Sequence, residues 1–325
     1  MSLFSRPLFY AALFSAMLFM TGCAPSFYNV KEPVPSGLKY VAPSQAQSLH
    51  LSMIDERRGQ DKVFSSGILP ATLKVKGQPV DPPKFLAKSV ADELVSRGIP
   101  ATVTVGEGDS PKVHLKQFNM LNYRSSGFAP FFTFLYIKAD LDTASGTKRI
   151  AAYVRRGKTP VWSFDEVIEP TFNQPLEIAA KEFASKVANA LYGYHASDDA
   201  VNQLIAKISG PRTGDTYLDV YALGFTNNPA ALNKLVELTH DTDQYVRQAA
   251  ISSLGNMNAV GQLQLLEDIY NNSTVSREDR DIAIKAIGDL GTPDAMTFLK
   301  QEYEKVSKLT DANSIWTTRV MSLYF

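Results

Sequence analysis

The 325-residue chain contains one cysteine, Cys23, with four histidines and two tryptophans. A single cysteine cannot form an intramolecular disulfide, so packed apolar cores must stabilise the folded parts. Lysine plus arginine and aspartate plus glutamate both total 33, and this balance lacks the basic excess that nucleic-acid-binding surfaces carry. After the first apolar run, no other run is long enough to span a bilayer.

The lone cysteine lies just after the most apolar stretch of the chain, residues 8–20, which follows Arg6. A membrane-spanning helix needs about 20 apolar residues, whereas the apolar core of a signal peptide has about 7–15. Small residues separate this stretch from the cysteine, and a signal peptidase requires small side chains there because the chain binds extended in a narrow cleft. We therefore interpret residues 1–22 as a signal peptide.

The end of this stretch resembles the lipobox of bacterial lipoproteins, carried here by Met20, Thr21, Gly22 and Cys23. Met20 replaces the usual leucine with an apolar residue of similar volume. The resemblance implies cleavage before Cys23 and attachment of several acyl chains to it, enough for stable anchoring. Ala24, in place of an aspartate, implies the outer membrane. We expect a lipid-anchored, periplasmic-facing protein of a Gram-negative cell envelope.

About 300 residues follow the predicted leader, which by ordinary domain sizes indicates two domains. Proline recurs in residues 23–48, so this segment is predicted to be an extended tether that lets the body stand off from the lipid surface. The first folded domain is predicted to span residues 49–195 and the second residues 197–325.

The predicted fold class is α+β, with a small antiparallel-sheet domain first and an all-α repeat domain after it. Two amphipathic helices, 84–97 and 176–192, are predicted to pack across one face of the sheet. In the strand at 131–141, Leu135 and Ile137 face one way, and polar residues such as Lys138 face the other. The remaining strands are predicted at 49–53, 101–105, 113–123, 149–155 and 161–168.

This first domain resembles the small α/β domains of outer-membrane lipoproteins, in particular the YajG-like family. The likeness rests on the strand end Asp55-Glu56-Arg57, the helix leading to Ser96-Arg97-Gly98, and the closing strands and helix. Because that family has no well-defined activity, the resemblance implies location and shape rather than chemistry.

The second domain repeats. Similar helices end at Leu223-Gly224, Leu254-Gly255 and Leu290-Gly291, and unequal steps of about 30–40 residues indicate helical repeats. The stretch from Asp241 to Ala250 resembles the first helix of a HEAT repeat, the fold unit that this likeness implies.

Within that helix, Asp243 is predicted to cap the start. Arg247, one turn on, is predicted to pair with Asp243 or with a neighbouring repeat. Ala283 stands where the third copy should have an arginine, so any arginine ladder is predicted to be broken there. Because such arrays present an extended face for protein contacts, Arg247 is a candidate binding residue.

Metal-capable side chains gather at His240, Asp241 and Asp243, but a capped turn between repeats explains them better, because no further ligands follow at a matching spacing. The other histidines fall in separate elements, and no nucleophile elbow surrounds a serine. We therefore predict no catalytic residue, no metal site, no cofactor and no enzymatic activity.

Phenylalanines crowd residues 127–134 at the entry to a strand. Core packing is the simpler interpretation of this cluster. The alternative is an apolar loop that touches lipid or a partner, with Phe128, Phe131 and Phe132 as candidate contact residues.

Two functions from different classes remain open. The first is a non-catalytic, lipid-anchored scaffold whose helical repeats bind a periplasmic or outer-membrane protein. The alternative is an auxiliary lipoprotein of an envelope transport or assembly complex, in which the α/β domain handles lipid, glycan or polymer. The sequence identifies neither the partner nor the ligand.

Overall fold

The computed structural model describes residues 27–43, 48–68, 72–108, 111–126, 129–159, 161, 163 and 165–325. The predicted leader and lipobox, with Met20, Thr21, Gly22 and Cys23, lie outside the described residues, as does Phe128. Every contact given below joins two residues within these ranges.

A sheet-rich part precedes a helical part, which confirms the α+β class. The strands are β1 (Phe27–Asn29), β2 (Tyr40–Val41), β3 (Leu49–Asp55), β4 (Ser65–Gly67), β5 (Thr72–Val75), β6 (Gln78–Pro79), β7 (Ala101–Val105), β8 (Lys112–Tyr123), β9 (Phe131–Thr143), β10 (Gly146–Lys158) and β11 (His195–Ala196). The helices are α1 (Pro82–Ser96), α2 (Asp165–Ile168), α3 (Gln174–Tyr192), α4 (Asp198–Ser209), α5 (Thr216–Gly224), α6 (Leu232–Leu238), α7 (Gln244–Asn256), α8 (Leu263–Asn271), α9 (Arg277–Leu290), α10 (Pro293–Val306) and α11 (Ala312–Met321).

The main sheet has the strand order β10–β9–β8–β3–β7, with β4 also paired to β8. The long strands β8, β9 and β10 are antiparallel, as predicted. The prediction is wrong for β3, which runs parallel to both β7 and β8. Helix α1 lies between β3 and β7 in the chain and carries it back to the end of the sheet at which β3 began. Strand β7 therefore runs in the same direction as β3.

One face of the sheet is covered by α1 and α3, which also contact each other. The predicted apolar stripe of α1 is buried, including Leu86, Val90 and Leu94, and Asp81 caps the helix by accepting from the Lys84 amide. Helix α3 buries residues on almost every side, among them Phe183 and Val187. A helix that is buried all round lies inside the protein rather than on its surface, and α3 does so between the sheet and the C-terminal helices.

The predicted strand at 161–168 is wrong. Residues 165–168 form α2, and a π-helical turn, Glu169–Asn173, then leads directly into α3. Val167 of α2 and Phe172 of the π-helical turn are fully buried. The ring of Phe172 stacks on Phe131 at a centroid distance of 5.8 Å. Tertiary packing of these side chains overrides the strand preference of the β-branched residues.

The second face of the sheet, to which polar residues such as Lys138 were predicted to point, is also covered. On β9, Phe134 packs on Trp316 of α11 at a centroid distance of 5.1 Å. Lys138 donates to the backbone carbonyl of Ser322 at 2.9 Å. The sheet therefore has α1 and α3 on one face, and α11 with the residues that follow it on the other.

The predicted tether, residues 23–48, is extended over 27–43 but does not stand free of the body. Strand β1 pairs in parallel with β5, and β2 pairs with β11. The amide of Ser36 donates to Glu93 of α1 at 2.8 Å, and the hydroxyl of Tyr40 donates to the Phe225 carbonyl at 2.5 Å. Proline keeps this segment extended, and its remaining polar groups attach it to the body.

The C-terminal helices follow one another in chain-order pairs, α5–α6, α7–α8 and α9–α10, and α11 comes last. The first helices pack in a row, α5 on α7, α7 on α9 and α9 on α11, and each second helix packs against the first helix that comes after it. The first helix of each later pair is buried along most of its length, whereas α8 buries only Leu266 and Ile269. Close stacking depends on glycine. A Cβ added at Gly255 would lie 2.6 Å from the Cα of Ala286 in the next pair.

Four buried charges join α3 to α9. Lys285 contacts Glu182, Asp289 at 2.9 Å and the Ser252 hydroxyl at 2.9 Å. Lys186 contacts Glu182 at 2.6 Å and Asp289 at 2.7 Å. Two cations and two anions thus neutralise one another where the sheet-rich and helical parts meet.

Neighbouring charges in this network set the direction in which the pKa values of Asp289 and Lys285 shift. Burial alone would raise the pKa of Asp289, but Lys186 and Lys285 hold that pKa below its ordinary value. Burial alone would lower the pKa of Lys285, but Asp289 and Glu182 reverse the effect and raise it. Asp289 and Lys285 are therefore both charged in the folded protein at neutral pH.

Phe131→Ala should lower the free energy of unfolding by about 3–5 kcal/mol, because the ring is fully buried and its loss leaves a cavity. Phe132→Ala is the matched control. Its half-buried ring lies under the Arg155 guanidinium, 4.3 Å from the ring centroid, so its loss should cost only about 1–2 kcal/mol. Urea unfolding followed by circular dichroism measures both, and equal losses would contradict the assignment of Phe131 to the core.

Lys285→Met should lower the free energy of unfolding by about 3–5 kcal/mol, because two buried carboxylates would then share Lys186 alone. Lys88→Met, which breaks an exposed pair with Asp92 on α1, should cost less than about 1 kcal/mol. Chemical unfolding of the two variants gives the comparison. A Lys285→Met protein as stable as the parent would show that the network contributes little.

Candidate interaction surface

Two kinds of residue identify equivalent positions in successive helix pairs: the residue that caps the first helix, and the glycine at which that helix closely approaches the next element. Asp243 caps α7 by accepting from the Tyr245 and Val246 amides, as predicted, and Ser276 caps α9. The same interval separates Asp243 from Ser276 and Gly255 from Gly288, and each of these glycines meets a following element closely.

This register corrects the repeat alignment predicted from the Leu–Gly pairs. Gly291 is not the counterpart of Gly255, because it ends α9 in the left-handed conformation with φ +61°. Counted from the caps, the counterpart of Arg247 is Arg280 and not Ala283. The third copy therefore has its arginine.

Arg247 pairs with the neighbouring repeat, one of its two predicted partners. Its Nε lies 2.7 Å from Oδ2 of Asp279 on α9, and its Nη1 donates to the Asp241 carbonyl at 2.6 Å. The side chain is 21% exposed. Because its Nε is bonded to the next repeat and its Nη1 to the turn before its own helix, Arg247 holds α7 to α9, and only its edge reaches the surface.

A groove of about 480 Å³ opens beside Arg247, between α7, α8 and the start of α9. His240 and Asp241 lie on its rim. Asp241 is held by both terminal guanidinium nitrogens of Arg212, at 2.7 and 2.5 Å, and Arg212 holds the pKa of Asp241 below its ordinary value. The acidic residues of this turn are thus engaged in caps and ion pairs, in agreement with the turn interpretation.

A second groove, of about 250 Å³, occupies the equivalent place one repeat later, between α9, α10 and α11. Arg280 lines it in the position that Arg247 has in the first groove. Arg277, Asp281 and Thr317 also line it. Thr317 donates to Asp281 at 2.5 Å, and Arg277 lies 3.7 Å from the same carboxylate.

A third cavity, of about 480 Å³, lies between the sheet and α11. It is lined by polar groups from both parts of the chain, including Lys116, Lys138, Tyr136 and Arg319. Sequence reasoning missed it, because the residues come from β8, β9 and α11 and meet only when the helical part covers the sheet. The alternation of Phe134, Tyr136 and Lys138 on one side of β9 was the available signal.

The three phenylalanines that were candidate contact residues differ in how the structure places them. Phe131 is fully buried, so its interpretation as a contact residue is corrected to core packing. Phe132 is half-buried under Arg155 and lies beside Gly157, where a Cβ would meet its ring at 2.4 Å. Phe128 lies outside the described residues.

Within the described ranges, no helix is long and apolar enough to cross a membrane. The same ranges contain no group of three or more His, Cys, Asp or Glu side chains placed to hold a metal ion.

The paired helices, the capped first helix and the close glycine contacts describe a helical repeat array. Residues 220–280 match the HEAT repeat family. The matched segment runs from α5 to the start of α9 and therefore covers the first groove. HEAT repeats are typical of protein-interaction scaffolds that lack chemistry of their own. No curated protein matches the chain.

Asp281→Asn should stabilise the protein at neutral pH. Burial raises the pKa of Asp281 to about 6, against the opposing effects of Thr317 and Arg277. As the pH rises from about 4 to about 6, the unfolded chain ionises this carboxyl before the folded protein does, so stability falls. The variant should gain about 1–3 kcal/mol over the parent at pH 7.5, and the gain should shrink toward pH 4.

Thermal unfolding of both proteins across this pH range measures the effect. Glu304→Gln, which removes an exposed charge from α10, is the control and should show no such trend. A variant less stable than the parent at pH 7.5 would show that ionised Asp281 is stabilising.

Proposed function

We propose that the chain is a non-catalytic scaffold that binds a protein partner through the outward helices of its HEAT array, α6, α8 and α10. The observation that carries this proposal is the asymmetry of burial in the array. Helices α7 and α9 are buried along most of their length, whereas α8 and α10 bury only two residues each. The outward row and its two grooves are the face left for a partner.

We further propose that this scaffold is a lipid-anchored, periplasmic-facing protein of the outer membrane. The lipobox-like sequence that ends in Cys23 supports the anchor. Lipid attachment at the N-terminus would concentrate the scaffold at a membrane surface and raise the effective concentration of any partner held there.

The binding face is tested in the full chain, because residues 197–325 alone would expose Lys285 and Asp289, which Glu182 and Lys186 normally cover. A photo-crosslinking amino acid is placed at exposed positions on the outward helices, at Asn233, Gln264 and Lys300 in turn. The control position is Val95, an exposed residue of α1.

We expect one protein species to crosslink from the outward positions and not from Val95. Mass spectrometry identifies it, and its purified form must reproduce the crosslink. Equal crosslinking from Val95, or none from the outward helices, would contradict the scaffold proposal.

The anchor is tested separately by expressing the chain with its own leader in a Gram-negative host. Mass spectrometry of the N-terminal peptide should find a diacylglyceryl group and an additional acyl chain on Cys23. Cys23→Ser should release the protein from the membrane fraction without changing its circular dichroism. An unmodified thiol on a freely soluble parent protein would contradict lipid anchoring, while leaving the scaffold proposal open.

A further inference from the structure

The two grooves of the array are built on one plan but differ in charge. In the first groove, Arg247 of one repeat faces Asp279 of the next, with Nε and Oδ2 2.7 Å apart. Asp279 follows the cap Ser276 by three positions, in the first turn of α9. This acid neutralises the arginine where the repeats meet.

The second groove lacks that acid. Helix α11 is capped by Asp311, and the residue three positions later is Ser314. The hydroxyl of Ser314 donates to Asp311 at 2.5 Å and carries no charge. Arg280 is partly buried, and its Nε is enclosed without a hydrogen-bond acceptor from the described ranges.

The neighbouring charges are already matched. Arg277 lies beside Asp281 and donates to Thr317 at 2.5 Å. Glu302 lies 2.5 Å from Lys305. Arg280 therefore remains the cation of this groove without an ion-pair partner among the described residues, and enclosing such a donor without an acceptor is unfavourable.

We propose that the second groove binds a carboxylate side chain from an acidic segment of the partner protein, against the part of the Arg280 guanidinium that lines the groove. This inference rests on the proposed scaffold function and specifies the chemistry of its partner. A carboxylate fits better than a phosphate, because Asp281 and Glu302 line the same groove and repel a doubly charged anion more strongly.

The first test measures binding of a fluorescein-labelled octaglutamate peptide to the full chain by fluorescence anisotropy, with octaglutamine as the uncharged probe. Arg280→Gln should weaken octaglutamate binding by about fivefold or more, because it removes a charge-assisted hydrogen bond. Arg58→Gln is the matched control. It removes the same charge from an exposed position outside the helical array and should change binding by less than about twofold.

Arg280→Lys keeps the charge but loses the planar fork, so it should bind with intermediate strength. Inorganic phosphate at matched ionic strength should displace the peptide no better than chloride does. Equal binding of octaglutamine, or equal losses in the Arg280→Gln and Arg58→Gln proteins, would overturn the proposal. Strong competition by phosphate would overturn the assignment to a carboxylate.

The second test restores the missing acid from within the chain. Asp311→Ser combined with Ser314→Asp reproduces the Ser276 and Asp279 arrangement at the start of α11. The double variant should abolish octaglutamate binding and raise the melting temperature by about 2 °C or more. Unchanged binding in a folded double variant would overturn the proposal.

The two tests separate this inference from the scaffold proposal. If crosslinks from Gln264 and Lys300 persist unchanged in Arg280→Gln, and octaglutamate does not bind, the scaffold stands and the carboxylate site falls. If octaglutamate binds through Arg280 but no protein crosslinks, the scaffold falls and the anion site stands.

Discussion

The buried contact of Glu182 and Lys186 with Lys285 and Asp289 is the constraint on which the arrangement of the molecule depends. Each charge is costly to bury, and each is tolerated because the others surround it. Because two come from α3 and two from α9, the sheet-rich and helical parts must meet in one orientation for all four to be satisfied. A hydrophobic contact alone would permit small rotations that this network excludes.

Helix α3 consequently serves both parts of the chain. One side packs on the sheet and α1, and the other carries Ser185, Glu182 and Lys186 to the repeats. Asn256 of α7 donates to Ser185 at 3.2 Å and to the Gly224 carbonyl at 2.9 Å, so the same helix also aligns the first two repeats. The array therefore starts on a fixed support, and its outward helices inherit a fixed position relative to the sheet.

Much of the fold follows from short-range patterns in the sequence. The stripes of α1 and α3, the cap at Asp243 and the long strands were predictable, because each depends on residues only a few positions apart. The covered second face of the sheet was not. Phe134 and Tyr136 pointed to it, but the same strand carries Lys138 and Asp140 on that side, and their partners lie far away in sequence.

The equivalent positions of the repeats, on which the candidate site depends, were even harder to assign from the sequence alone. Gly288 and Gly291 are equally plausible markers of a repeat when only the sequence is available. One permits a close approach to Tyr324, where a Cβ would lie 2.5 Å from the ring, and the other adopts a positive φ. Only the structure distinguishes these roles, and the choice decides whether Arg280 is recognised as the counterpart of Arg247.

The strands near the N-terminus have a mechanical consequence. The β1–β5 and β2–β11 ladders are short, and they stand in series between the N-terminus and the main sheet. Tension applied at the N-terminus must open the first ladder before it loads the second, and both before it reaches β3. Because β11 directly precedes the helical part and Tyr40 of β2 donates to the Phe225 carbonyl just after α5, the second ladder passes such a pull to the start of the repeats, and only the first ladder stands in front of them.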